Sequence, residues 1–370
     1  MPTISVFDQQ VSTATTKVIE ANLNLFNSAT NGALLMGTGA SLGDWVERTF
    51  WAAQQLVRRR NAYGNGKLSP TELAQALERA IKIDGGTLPL KVTPALMDRL
   101  GKTPQEAAAV MGEQVALQMI EDYLACGLGA FIAATPKGLN YDFTAQSGGD
   151  IPKIRSLIKA SGQLGDAQNR LACWVMSGNT YNDLLAEDAF VNGQNLFKFE
   201  TINVIQDGLG RRFVVTDAAA ALDASVPGGT SGTEKARQRV LGLMPGAVTV
   251  TTRPLQMYSQ TILGEENVYD LMQGEYNFDL ALKGHTYIGA KGSLGNGDKA
   301  TSPTPKAEQN ASANTSDDAS ASPTLETITA STSWQITDKR GITATTGRLK
   351  GDDLEVAKGL GGLIVTFGEN

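Results

Sequence analysis

A capping box at Thr103-Pro-Gln-Glu106 opens the stretch that most constrains this chain. In such a box the Thr and Glu side chains satisfy free amides reciprocally, and Pro suits the first helical position. Val110, Met111, Val115, Leu117, Met119, Ile120, Tyr123 and Leu124 follow, and the spacing predicts a helix over about 104–125. Such a rod is roughly 30 Å long at ~1.5 Å per residue. Its apolar residues cover more than one stripe, so other elements must enclose it as the spine of a lobe. A charge at Leu117 is therefore expected to abolish folding. Gly127 and Gly129 are expected to end the helix, with Phe131-Ile-Ala-Ala134 leading out.

The 370 residues offer few side chains for catalysis. His285 is the only histidine, so zinc sites with several imidazoles and histidine relays are excluded. Cys126 and Cys173 stand far apart in apolar stretches, which predicts two reduced core thiols and a reducing compartment. The balance of 32 Lys+Arg against 38 Asp+Glu gives −6, which argues against a dedicated nucleic-acid binder. No run of apolar residues reads as a membrane span and no leader is evident, so a soluble, cytoplasmically made protein is expected.

Along the chain, residues 1–40 read as an arm that needs another surface, with a short apolar patch at Val18, Ile19, Leu23, Leu25 and Phe26. A helix is predicted from Asp44 through Trp45, Phe50, Ala53 and Val57 to the basic run Arg58-Arg59-Arg60. A capping box at Ser69-Pro-Thr-Glu72 predicts another, carrying Leu73, Leu77, Ala80 and Ile81 up to a turn at Asp84-Gly-Gly86. Leu88 to Val92 reads as extended. From 140 to 252 the pattern is α/β. It comprises a helix capped by Asp150, a buried strand at Arg170 to Met176 and a short helix from Asn179 to Asp188. Two strands, Thr201–Gln206 and Arg211–Thr216, flank Asp207-Gly-Leu-Gly210. Val240–Met244 and Ala247–Thr252 flank Pro245-Gly246 in the same way. Residues 295–324 contain no large apolar side chain and read as a polar insertion. Strands are expected at Thr327–Thr332, Ser333–Thr337 and Ile342–Thr346, then a final apolar run from Leu360 to Phe367.

Gly39-Ala-Ser41-Leu-Gly43 matches the nucleophile-elbow pattern, with His285 later in the chain. The roughly 40 residues before it carry no sheet for an elbow to top, and a Gly- and Ser-rich chain produces such matches by chance. His285 reads as structural. Gly64-Asn-Gly66-Lys67 lacks the upstream Gly and downstream Ser/Thr of a phosphate loop. Glu265-Glu266 and Asp317-Asp318 are solvated pairs, and the sequons at Asn310 and Asn314 have no meaning in a cytoplasmic chain. No catalytic, cofactor-binding or metal-binding residue is assigned, and no cofactor is expected.

The order of parts resembles the tailed-bacteriophage major capsid proteins with the Hong Kong 97-type fold. Leu171-Ala-Cys-Trp-Val-Met-Ser177 resembles the family's strand and helix entering its axial domain. Gly208-Leu-Gly-Arg-Arg-Phe-Val-Val-Thr-Asp217 and Leu243-Met-Pro-Gly-Ala-Val248 resemble strands within it, and Asn31-Gly32-Ala33 resembles the arm of one subfamily. The resemblance implies an α+β fold in seven parts. These are an N-terminal arm (1–40), an extended-loop region, partly helical (41–101), and a peripheral domain with the spine helix (102–144). An axial domain (145–252), a return to the peripheral domain (253–294), a polar insertion (295–325) and peripheral β strands (326–370) complete the chain.

The implied function is a major capsid protein that self-assembles into the icosahedral head shell around double-stranded DNA. Hexamers and pentamers, scaffold, portal and decoration proteins, weak DNA contact and no membrane are the implied partners. Runners-up are an encapsulin-like nanocompartment shell, a phage tail or other ring protein, and a serine hydrolase using Ser41.

Overall fold

A computed structural model describes residues 4–39, 45–51, 62–64, 66–67, 75–93, 104–143, 152–186, 194–199, 202–208, 210–219, 222–226, 235–263, 268–288, 328, 331–338, 342 and 349–368. Its helices are α1 (Ile4–Ala29), α2 (Pro104–Ala134), α3 (Ile154–Ser161), α4 (Gly178–Ala186) and α5 (Asp352–Gly359). The strands begin with β1 (Leu34–Thr38), β2 (Trp45–Trp51), β3 (Gln75–Gly86), β4 (Leu90–Val92), β5 (Asn140–Asp142) and β6 (Cys173–Met176). Then come β7 (Gln194–Phe199), β8 (Ile202–Gln206), β9 (Arg212–Val215), β10 (Asp223–Val226), β11 (Lys235–Leu243) and β12 (Val248–Thr252). The last are β13 (Gln256–Ile262), β14 (Tyr269–Leu282), β15 (His285–Tyr287), β16 (Trp334–Ile336) and β17 (Gly362–Gly368).

One sheet is organised around the 14-residue β14. Its first half lies between β13 and β4, and its second half between β12 and β3. β1 extends the sheet beyond β12, and β2 extends it beyond β3. Phe278, Leu280 and Leu282 alternate inward on β14 and meet Leu34, Met36, Val248 and Val250 in the core, while Met272 nearer its start packs with Val11 and Ala108.

α2 fills that core, with Ala116, Met119, Ile120, Tyr123, Leu124, Leu128 and Phe131 all buried. It also has the length and composition of a membrane span over Ala108–Ala134, which the sequence reading overlooked. Sixty-one per cent of an 18-residue window of that stretch is buried inside the protein, as a core helix requires. Gly127 and Gly129 do not end α2, which continues to Ala134. At Gly127 the missing side chain has a packing reason, because a Cβ there would stand 2.8 Å from Val248 Cγ1. Leu117 is only partly buried, so the core face lies at its neighbours Ala116 and Ile120.

The segment expected to be an arm holds α1, and the surface it lies on is the chain's own. Val11, Ile19, Leu23 and Phe26 are buried. α1 and α2 approach closely at Gly112, where a Cβ would come within 2.8 Å of Ala14 Cβ. Arg212 of β9 donates to the carbonyls of Ser28 and Ala29 at 2.6 and 2.9 Å, capping α1 at its negative end.

The second sheet runs β5-β17-β11-β6-β9-β8-β7, with β10 on β11. The expected strands at 170–176, 201–206, 211–216 and 360–367 are present here with small boundary changes. β8 and β9 form the expected antiparallel pair around Asp207, whose carboxylate takes Arg211 at 2.7 Å. Pro245-Gly246 does join two strands, but they belong to different sheets: β11 to this one and β12 to the other. α3 begins after Lys153 with no side-chain cap, and Asp150 lies outside the described residues. α5 had no sequence counterpart.

Two predicted helices are strands. Trp45–Trp51 and Gln75–Gly86 pair antiparallel, Trp45 with Ile81 and Trp51 with Gln75. The turn expected at Asp84-Gly-Gly86 is instead the continuation of β3 along β14, up to Glu275 opposite Gly86. The strand expected at Thr327–Thr332 is replaced by a helical Ile328 and a 3-10 turn at Ser331–Ser333. Arg58 to Arg60, the capping box at Ser69, residues 295–324 and the strand at Ile342–Thr346, apart from Ile342, lie outside the described residues.

Candidate assembly surfaces

Among the described residues, no side chains of the kind chemistry would need converge on one site. His285 starts β15 and is 1% exposed, with Nδ1 3.0 Å from Lys283 O. Burial pushes its pKa down to about 4, against the pull of the Lys283 and Ala134 carbonyls. It is therefore a neutral core side chain near pH 7. Ser41 lies outside the described residues, while Gly39 continues β1 by donating to Thr252 O at 3.0 Å. Cys126 and Cys173 are buried free thiols, and burial raises both to about 12, so neither is a thiolate at neutral pH. Among the described residues no group of three His, Cys, Asp or Glu could hold a metal ion. Glu265-Glu266, Asp317-Asp318, Asn310 and Asn314 lie outside the described residues.

Surfaces for association are more clearly built. β3 is accompanied by β14 from Ile81 to Gly86, and from Gln75 to Ala80 its ladder partner is β2. The result is a hairpin whose outer part runs past the sheet, with Glu47, Arg48 and Thr49 exposed. Arg79 grips Glu47 across it at 2.6 Å. Midway along it Glu78 stands opposite Arg48 and accepts from the Gly284 amide. Burial raises the Glu78 pKa, opposed by that hydrogen bond, Arg48 and Lys283.

The other end of the long sheet exposes apolar side chains instead. Leu88 and Leu90 beside β14, Tyr258 on β13, and Leu263 and Val268 beyond the β13–β14 ladder are all solvent-facing. Exposed apolar residues of this kind are candidates for contact sites. Elsewhere the sheet edge is closed from within. Asn27 donates to Met36 O at 2.6 Å and accepts from Met36 N at 2.8 Å. Thr30 Oγ1 donates to Leu34 O at 3.4 Å.

A family model described as "Gp13-like: Major capsid protein 13-like" matches residues 3–305. The chain belongs to the Gp13-like family of major capsid proteins. This capsid protein is a structural component of the phage shell and virion. Its chain is similar to the capsid of the cyanophage P-SCSP1u, at 13% identity and a TM-score of 0.43, covering 68% of this chain and 84% of that one. A similar likeness is found to a Mycobacterium phage Cain structure, at 12% identity and a TM-score of 0.43 over 69% and 83% of the two chains. The capsid of Ralstonia phage GP4 matches at 10% identity with a TM-score of 0.41, over 69% and 84%. No curated protein matches the capsid protein. Sequence reasoning missed the β2–β3 strand pair and the helical character of α1.

Proposed function

We propose that this capsid protein builds an icosahedral head shell of hexamers and pentamers around double-stranded DNA, with the Hong Kong 97-type division of labour. The observation that carries the reading is the β2–β3 hairpin, which runs past β14 as a two-stranded excursion. In that scheme it is the extended loop, within residues 41–101. α2 is the spine helix, the β14 sheet is the peripheral domain, and much of the second sheet belongs to the axial domain. Scaffold, portal and decoration proteins complete the head, and the subunit is made in the host cytoplasm. Its work is association, with many modest contacts summed over closed symmetry.

The test is expression of the chain, with light scattering and negative-stain microscopy across salt and scaffold conditions. Closed shells are the expected product. A stable monomer under every condition, or open tubes, would sink the reading.

A further inference from the structure

The end of the long sheet that exposes apolar residues has two unlike faces. Side chains alternate along β14, so Met272 points toward the helices, where it packs with Val11 and Ala108. Tyr269 and Leu271 point the other way. Ile262 of β13 stands opposite Tyr269, Tyr258 opposite Gln273, and Lys91 of β4 opposite Leu271. Residues opposite one another in a ladder share a face, so Tyr258, Ile262, Tyr269, Leu271 and Lys91 lie together on the outer one. Tyr258 is 56% exposed. Lys91 is exposed too, with its Nζ 3.5 Å from the centre of the Tyr269 ring. A cation held over a ring beside apolar side chains suits a partner that brings a carboxylate and a hydrophobic stripe together.

The first half of α2 carries such a stripe. Ala108, Gly112, Ala116 and Met119 form its buried side. Val110 is 56% exposed, Glu113 is exposed and Leu117 is partly buried. Their i, i+3, i+7 spacing sets these three on one line turned away from the buried side. Sheet face and helix stripe therefore belong to the two sides of one two-layer unit. A single copy cannot bring them together, but two copies placed head to tail can. The charges match, Lys91 against Glu113, and the apolar side chains flank both. Such a contact is heterologous, and its repetition about a rotation axis closes a ring.

We propose that the outer face of β4, β14 and β13, at Tyr258, Leu271 and Lys91, receives the Val110, Glu113 and Leu117 stripe of α2 from a second copy of the chain. The inference rests on the reading that the chain assembles into a shell, and it assigns one of the contacts by which it does so. The apolar groups supply the area, and the charge pair fixes which surfaces meet.

The test uses the full chain, with Lys91→Glu, Glu113→Lys and the double exchange followed by light scattering and negative-stain microscopy. Each single variant is expected to need about tenfold more protein before shells form, and the exchange to recover most of that loss. Melting temperatures close to that of the parent separate this from a loss of folding. Single variants that assemble like the parent, or an exchange that recovers nothing, would overturn the proposal. A crosslinking arm does not depend on closed shells. Under diamide, a chain carrying both Tyr258→Cys and Val110→Cys should give a ladder of disulfide-linked copies. Either change alone should give none, because Cys126 and Cys173 are buried. A ladder from a chain whose parent forms no shells means that the shell reading fails and the contact stands. Shells without a ladder mean the reverse, and the absence of both overturns both. Dimers from Tyr258→Cys alone would also overturn the proposal, by setting the sheet face against its own copy.

Discussion

Gly242 on β11 lies directly across from Trp174 on β6, and a Cβ on Gly242 would come within 2.8 Å of the Trp174 ring. The indole occupies the space that a side chain would need. Gly242→Val is therefore expected to destabilise the subunit by about 2–4 kcal/mol through overpacking. Gly242→Ala should cost less, and urea unfolding of the two variants measures the difference.

Asn27 acts as a strand partner for Met36, supplying one donor and one acceptor to the outer edge of β1. Asn27→Leu leaves both backbone groups without that partner and is expected to cost about 1–3 kcal/mol. It also uncovers an edge that pairs with other chains. The expected readouts are a lower urea midpoint and concentration-dependent aggregation in light scattering.

His285 makes stability depend on pH in a stated direction. Its folded pKa of about 4 lies below the ordinary 6.5, so the unfolded chain takes up the proton first as pH falls. The full contribution is present above pH 6.5, declines between 6.5 and 4, and is lost below. The span amounts to roughly 3 kcal/mol. Glu78, raised by burial, pulls the other way, because its protonation favours the folded state as pH falls. Urea midpoints at several pH values should fall across this window in the parent and flatten in His285→Gln. An equal slope in both would refute the assignment.

Deleting residues 297–322 should leave folding and shell formation intact. The chain leaves and re-enters at one clamp, where Tyr287 pairs with Trp334 and their rings meet edge to face at 5.1 Å. Trp334 Nε1 also donates to Ile328 O at 2.8 Å. A melting temperature within a few degrees of the parent is expected. Loss of all shells would make the segment an interface element.

Leu124→Asp should abolish folding, where Leu117→Asp is tolerated better. Leu124 is 1% exposed inside the core, while Leu117 is only partly buried. An unpaired charge at Leu124 has no route to water. Circular dichroism of the soluble fraction distinguishes the two variants.

The sequence was most legible where local pattern and tertiary role agree. The apolar run Cys173–Met176 and the hairpin around Asp207 needed only their composition and turn residues. It was least legible where partners far along the chain decide. The residues of β3 carry a helical spacing through Leu77, Ala80 and Ile81, yet β2 pairs with all three as a strand and β14 takes Ile81 from the other side. Gly127 reads as a helix stop until Val248, far along the chain, is seen to fill its place. α1 was missed for the same reason, because its apolar stripe is modest and its burial is completed by α2 together with strands far along the chain, as where Phe26 meets Phe197 edge to face. For the surfaces, exposed charge on the hairpin carries no periodic signal, so only the three-dimensional pairing brings Arg48, Glu78 and Lys283 together.

The link from β11 to β12 through Pro245 and Gly246 is four residues long and is itself tied down, Gly246 N donating to Gly32 O at 2.6 Å. Gly246 holds a φ of 71°, which few other residues would accept. A joint this short transmits torque instead of absorbing it, so a tilt imposed on one sheet is handed to the other. If copies of the subunit adapt to one another on assembly, the adjustment then falls on their outer elements and not on this joint.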